Sequence, residues 1–245
     1  MVGKLTDDRV MSCSRLPALL GVSPWSTPND ELRKSYNALN GIEAPAWEPG
    51  EAADMGNLLE PIILQEVERR LIVALVAPSE PFHAEGVPLS GSLDAWGESL
   101  FEPRTISTDR SKGIFVMTAS GQIAIDGRCA IECKLTSHAP EDAPAPHRGP
   151  IQLQGQMLCA GLSWGAVAVL YRGIELRIFV YERDEAMIAR IIEACHDFDR
   201  RKHGPDWYVA QNPADAIRTW HGVDDKAAPR YVVTVRGVGF RMGTG

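Results

Sequence analysis

The stretch Ala130-Ile131-Glu132-Cys133-Lys134-Leu135 alternates apolar and polar residues, the pattern of a short strand with one face in a core. Successive side chains on a strand point to opposite faces, so Cys129, Ile131, Cys133 and Leu135 share the face that reads as core. Glu132 and Lys134 share the other, side by side. A carboxylate and an ammonium aimed the same way can hold a divalent cation and position a water beside it. They can equally form a cross-strand salt bridge, which contributes little at a surface. The strand alone leaves both readings open, and the stretches on either side bear on the choice.

Upstream, the spacing predicts a long helix from about Ala52 to Leu71, with Met55, Leu59, Ile62, Ile63, Val67 and Leu71 on one face. Glu60 lies beside that stripe and Pro61 follows it directly; a proline inside a helix unpairs a carbonyl and kinks the chain. Glu60 is then either a carboxylate tilted toward whatever the helix covers or a solvated residue at the edge of the apolar face. Nearer the N-terminus, Ser14 fits a helix N-cap ahead of Leu16, Leu19 and Leu20, with a stop at Gly21. A second helix is expected from Pro28 or Asn29, followed by a Gly- and Pro-rich loop over 40–51.

Residues 72–135 read as a meander of strands at 72–77, 82–89, 114–118, 122–125 and 129–135. Asp94 falls in the turn Gly91-Ser92-Leu93-Asp94-Ala95-Trp96-Gly97, past one strand and before the next. Residues 99–113 are polar and read as an inserted loop, and Asp126-Gly127 carries a hairpin signal. Residues 136–150 hold His138, His147, Arg148 and several prolines, a long loop of the kind that often serves function. A helix over 151–161 carries Gln152, Gln154 and Gln156. Strands at 164–171 and 174–181 follow, and a last helix over 184–203 buries Met187, Ile188, Ile191, Ile192, Cys195 and Phe198.

The formal charge is −7 over 245 residues, which argues against a general nucleic-acid coat protein. It is compatible with a nuclease, whose active-site carboxylates add negative charge. No apolar run reaches the length of a membrane span, and the first residues show no apolar signal segment. The five cysteines sit beside residues such as Ala130, Ile131 and Leu158 and read as small core residues in a reducing, cytoplasmic setting.

Hydrolysis of a phosphodiester calls for a metal that polarises a phosphoryl oxygen and acidifies a water. Mg²⁺ takes one or two carboxylates plus waters and phosphate oxygens. Asp94 and Glu132 can supply that pair, with Mn²⁺ able to substitute, and the carbonyl of Cys133 can add a ligand. Lys134 can orient the attacking water and offset developing charge.

Asp94…Glu132-x-Lys134 resembles the PD-(D/E)xK nuclease signature. Five stretches in order resemble the YqaJ-like viral recombinases, the family of lambda exonuclease: Ser14-Arg-Leu-Pro-Ala-Leu-Leu-Gly-Val-Ser-Pro-Trp, Met55-Gly-Asn-Leu-Leu-Glu-Pro, Gly91-Ser-Leu-Asp, Ile131-Glu-Cys-Lys and Ile151-Gln-Leu-Gln-Gly-Gln-Met. The resemblance spans about residues 9–203; Leu93 stands where a proline often precedes the aspartate, and the carboxylate is kept.

The resemblance implies an α/β (α+β) restriction-endonuclease-like core, a central mixed β-sheet flanked by helices, as a nuclease domain over 1–208. Residues 209–245 would then be a C-terminal extension with a β-hairpin. It implies an Mg²⁺-dependent 5′–3′ exonuclease on linear double-stranded DNA ends, acting in recombination by single-strand annealing. It further implies a ring-shaped homotrimer working beside a single-strand annealing protein. By position, Asp94 and Glu132 match the metal-binding carboxylates and Lys134 the catalytic lysine. Glu60 matches a helix acid near the metal, and Gln152 the first glutamine of the helix motif. Ser14 and Ser92 match positions that hold a terminal 5′-phosphate, with Arg9 the candidate arginine of that pocket.

The tail Arg230-Tyr-Val-Val-Thr-Val-Arg-Gly-Val-Gly-Phe-Arg resembles the closing hairpin of a response-regulator winged-helix domain, with no matching recognition helix before it. A DNA-binding regulator is therefore the alternative from another class, and an endonuclease of the same core is the nearer one. An iron–sulfur nuclease is disfavoured, since no four cysteines cluster.

Overall fold

A computed structural model describes residues 6–42, 50–204, 206–220, 231–235 and 239–243. The chain starts with strand β1 (Met11–Ser12), a 3-10 turn at Cys13–Arg15 and the short helix α1 (Leu16–Leu19). Ser14 lies inside the 3-10 turn and does not cap a helix; Ser12 occupies the cap position of that turn and Arg15 that of α1. The cap that forms is at α2 (Pro28–Leu39). There Thr27 accepts the Asp30 amide and Asp30 reaches back to the Thr27 amide, so two orphan donors are satisfied reciprocally.

Helix α3 (Glu51–Leu71) runs through Pro61 without ending. Its buried residues are Ile63, Val67 and Leu71, with Leu59 partly buried against the same core; of the expected stripe, Met55 and Ile62 stand exposed at 40% and 56%. Next come β2 (Leu75–Val76), β3 (Phe82–His83), β4 (Leu89–Gly91), β5 (Ala95–Gly97), β6 (Arg104–Ser107), β7 (Ile114–Val116), β8 (Gln122–Ile125) and β9 (Ala130–Thr136). Helix α4 (Pro150–Ala160), strands β10 (Trp164–Tyr171) and β11 (Glu175–Glu182), and helix α5 (Glu185–Arg201) complete the core. Helix α6 (Pro213–Trp220) and the strands β12 (Tyr231–Val235) and β13 (Gly239–Gly243) close the chain.

The central sheet has the order β2-β5-β9-β10-β11-β7. It is mixed: β9 and β10 pair parallel, as do β11 and β7, while β2–β5, β5–β9 and β10–β11 are antiparallel. Two parallel neighbours need a crossover, and α4 is that crossover. One sheet face packs on α3 through Ile63, Val67, Ile131, Ala166 and Ile178; the other packs on α4 through Ala130, Leu153, Met157, Val167 and Phe179. A third cluster joins α1, α4 and α5 through Leu16, Ile151, Ile191 and Phe198. The expected mixed sheet flanked by helices is the observed fold.

Local expectations changed where tertiary pairing decided. Residues 104–107, expected in a loop, form β6, which pairs with β8 as a separate two-stranded sheet. The Asp126-Gly127 turn does not close a hairpin, because β8 joins β6 while β9 joins β5 and β10. Gly127 turns the corner at φ +88°, where a Cβ would stand 2.8 Å from the Glu98 carbonyl, so glycine is required there. Strand 82–89 divides into β3 and β4, which pair with each other, and β4 also pairs with β1. Of the expected terminal hairpin, β12 and β13 pair antiparallel, and the residues between them, 236–238, lie outside the described residues.

Residues 206–220 are tied to α2. The side-chain amide of Asn29 donates to the Tyr208 carbonyl and its oxygen accepts the Tyr208 amide. Asp215, fully buried, accepts from Thr27 Oγ1, Asn29 Nδ2 and the Gln211 amide at 3.1, 3.2 and 2.9 Å. Among the described residues no helix is long and apolar enough to cross a membrane.

Candidate active site

The site forms where β5 and β9 part. Their pairing consists of Ala95 opposite Ile131 and Trp96 opposite Ala130, so β9 runs on beyond the point where β5 begins. Asp94, the residue before β5, takes over there: its Oδ2 accepts the Cys133 amide at 2.6 Å. The amide and carbonyl of a strand residue leave on the same edge, so the Cys133 carbonyl lies on the Asp94 side of β9.

Glu132 and Lys134 share the face of β9 that α4 covers. Glu132 is 3% exposed and Lys134 is half-buried. Lys134 Nζ donates to Glu132 Oε1 at 2.5 Å and to Gln152 Oε1 at 3.1 Å. Gln156, one turn further along α4, donates Nε2 to Glu132 Oε2 at 2.6 Å and to the Ser92 carbonyl at 2.8 Å. Glu132 and Lys134 therefore do form an ion pair, within one strand rather than across two, and inside a larger polar network rather than at a surface.

Glu60 of α3, half-buried, completes the group through its charge interactions with Glu132 and Lys134. Burial, and then the neighbouring Glu132 charge, hold the Glu60 carboxyl above the ordinary range. Burial followed by Glu132 pushes Asp94 well above it, with Glu60 adding to the effect and the Cys133 amide opposing it. Burial works against a charged Lys134, yet Glu132 and Asp94 lift its ammonium above the ordinary lysine value. Lys134 is thus a fixed cation at neutral pH. Three carboxylates face one ammonium, an excess of negative charge that a divalent cation would balance. Among the described residues no three His, Cys, Asp or Glu side chains close into a metal cage. Mg²⁺ does not require one, since it binds through one or two carboxylates and keeps several waters. The donor set of Asp94, Glu132 and the Cys133 carbonyl fits such an open site.

The structure therefore brings together Asp94, Glu132, Cys133, Lys134, Glu60 and Gln152. It adds Gln156, which the sequence reading passed over as one glutamine among three; its i,i+4 spacing from Gln152, which puts both on one helix face, was the available signal. Gln154 faces elsewhere, donating to the Glu182 carbonyl and accepting the Asp184 amide.

Of the residues expected around a terminal phosphate, two follow neighbouring strands. Met11 lies opposite Leu89 and Ser12 opposite Ser90 in a parallel pair, so Ser14 and Ser92 follow from the same end of β1 and β4. Ser14 is exposed, and the Ser12 and Ser14 hydroxyls are 3.1 Å apart. Arg9 is not joined to them. It precedes β1, is exposed, and binds Asp7 at 2.9 Å, while its carbonyl accepts Lys202 Nζ. Arg15, the second residue of the first of the five stretches, is buried at 6% exposure against Glu31 and Ser35 and holds the first turn to α2.

No protein-family profile matches the chain, and no curated protein matches it by sequence. Solved structures do. An alkaline exonuclease from Laribacter hongkongensis, LHK-Exo, superposes with a TM-score of 0.56 at 16% identity, covering 80% of this chain and 89% of that one. LHK-Exo in complex with dAMP gives the same TM-score and identity over 79% and 88%. A phage-related exonuclease from Haemophilus somnus 129PT gives 0.51 at 15% identity, covering 79% and 93%. At this identity the likeness establishes the fold, and it is the fold that the five sequence stretches pointed to.

Proposed function

We propose that the protein is a divalent-metal-dependent deoxyribonuclease that degrades linear double-stranded DNA from its 5′ ends, in recombination by single-strand annealing. The observation that carries this reading is the group Asp94, Glu132 and Glu60 facing the single ammonium of Lys134 at the β5–β9 fork. The shared fold with an alkaline exonuclease and a phage-related exonuclease supports it.

Asp94 and Glu132 would hold Mg²⁺ or Mn²⁺, with the Cys133 carbonyl as a further ligand. When bound, the ion supplies polarisation of the phosphoryl oxygen and a more acidic water. Lys134, kept protonated by Glu132, donates hydrogen bonds and offsets charge developing on the phosphate; it does not accept the water's proton. Gln152 accepts from Lys134 Nζ and so fixes where that ammonium points. Glu60, whose carboxyl is held above the ordinary range by burial and then by Glu132, would be the acid that α3 contributes beside the metal-binding carboxylates. Ser14 and Ser92, leaving the β1–β4 pair side by side, would take a terminal 5′-phosphate, the ligand that makes the enzyme end-dependent.

The test is digestion of linear duplex DNA labelled at either end, with a 5′-phosphate or 5′-hydroxyl, beside a closed circle, in Mg²⁺ and in EDTA. Loss of 5′ label from the phosphorylated linear duplex, with the circle intact and EDTA abolishing the reaction, is the expected pattern. Efficient cutting of the circle would instead make the protein an endonuclease of the same core.

A further inference from the structure

We infer that Gln156 is a positioning residue that fixes the Glu132 carboxylate for a divalent cation. The inference rests on the metal-centred reading of the site given above. Gln156 is fully buried and cannot touch a substrate. Its side-chain nitrogen is placed between two acceptors, Glu132 Oε2 at 2.6 Å and the Ser92 carbonyl at 2.8 Å. The opposite amide orientation would set two oxygens against each other at those distances, so the bonding pattern fixes which end of the amide faces the site. Ser92 lies two residues before Asp94. One amide therefore ties the turn that carries Asp94 to the strand residue that carries the second carboxylate.

The two oxygens of Glu132 are held from two sides, Oε1 by Lys134 and Oε2 by Gln156, which leaves the carboxylate little freedom to rotate. The arrangement has a cost. Gln156 Oε1 is buried without a hydrogen-bond partner among the described residues. A half-satisfied buried amide is unfavourable, and packing alone would avoid it with an apolar residue. Gly91 lies against the same side chain: a Cβ there would stand in ordinary contact with Gln156 Cγ at 3.6 Å, and 2.7 Å from Cys13 Sγ. Outer contacts of this kind orient the groups that bind a metal, and their loss typically weakens metal affinity or activity by about 10–100-fold.

The experiment is a Mn²⁺ titration of the full chain without DNA, read by electron paramagnetic resonance, on the wild type, Gln156→Met, Gln156→Asn and Gln154→Met. Gln156→Met keeps the side-chain length without the donor, and Gln156→Asn keeps the amide but withdraws it by one methylene. Both should bind Mn²⁺ about 10–100-fold more weakly, with kcat lowered and KM for DNA unchanged. Gln154→Met removes a second buried glutamine, one bonded to the Glu182 carbonyl and the Asp184 amide; it should lower thermal stability and leave Mn²⁺ affinity unchanged. Wild-type affinity in both Gln156 variants, or an equal loss in Gln154→Met, would overturn the inference alone. Absence of saturable Mn²⁺ binding by the wild type would overturn the metal reading and this inference with it.

Discussion

Asp94 Oδ2 accepts the backbone amide of Cys133 at 2.6 Å, and this bond replaces a strand partner where β5 leaves β9. The bond satisfies an edge amide that the fork would otherwise strand, and it holds a carboxylate beside Glu132. Stability and charge placement are therefore in tension at one residue.

That tension has a pH signature. The Asp94 carboxyl is raised by burial and by Glu132, so the folded chain binds this proton more tightly than the unfolded chain does. Its contribution to stability is greatest at low pH and is lost as pH rises from the ordinary aspartate range, near about 4, through the raised value. Asp94→Asn keeps an acceptor for the Cys133 amide and removes the charge. In EDTA the variant should melt above the wild type at pH 8, with the gap closing toward pH 4. Mg²⁺ should raise the melting temperature of the wild type only, and nuclease activity should fall by about 10²-fold or more in the variant. Equal melting curves across the pH range would remove the argument.

Lys134→Met separates a catalytic lysine from a merely structural one. Glu132 is 3% exposed and would lose the ammonium at 2.5 Å, so stability should drop by about 1–3 kcal/mol, more than a surface pair contributes. The cleavage rate should drop by about 10²-fold or more under conditions where the variant is fully folded. A stability loss with full activity would leave Lys134 as packing for Glu132 and nothing else.

The thiols should be inert in the folded protein. All five cysteines are free, and four are buried. Burial pushes the Cys13 and Cys133 thiols up and carries Cys129 and Cys195 to about 12. Thiolate is the reactive form, so Ellman's reagent at pH 8 should react slowly with the native chain and find five equivalents after denaturation. Rapid stoichiometric reaction without denaturant would contradict the buried placement.

Asp215 ties α6 to the start of α2 and should matter to stability alone. Asp215→Ala takes one bond from the Thr27 hydroxyl and one from the Asn29 side-chain amide and strands the Gln211 amide, at a cost of about 1–3 kcal/mol. Urea melts should show the loss, and limited proteolysis should reach residues 206–220 sooner than in the wild type. Specific activity of the folded fraction should be unchanged.

The alternation over 129–135 determined a strand with Glu132 and Lys134 on one face, and the 3.6-residue spacing over 52–71 determined a helix ending at Leu71. Those follow from local periodicity, which a sequence carries in full. Which strands pair is a long-range choice, and there the local signals fell short: Asp126-Gly127 has hairpin chemistry, yet β8 and β9 go to different sheets. The apolar stripe of α3 is continuous in sequence, yet Met55 and Ile62 stay exposed while Leu59, Ile63, Val67 and Leu71 pack on the core, because only one narrow line of the helix meets the sheet. The site divides the same way. The residue types of Asp94, Glu132 and Lys134 were legible from their pattern. Their shared charge excess arises only because β5 stops pairing at Ala95, α3 brings Glu60 alongside and α4 covers Glu132 with Gln156. Contacts between residues far apart in the chain set burial, and burial sets how strongly those charges act on one another.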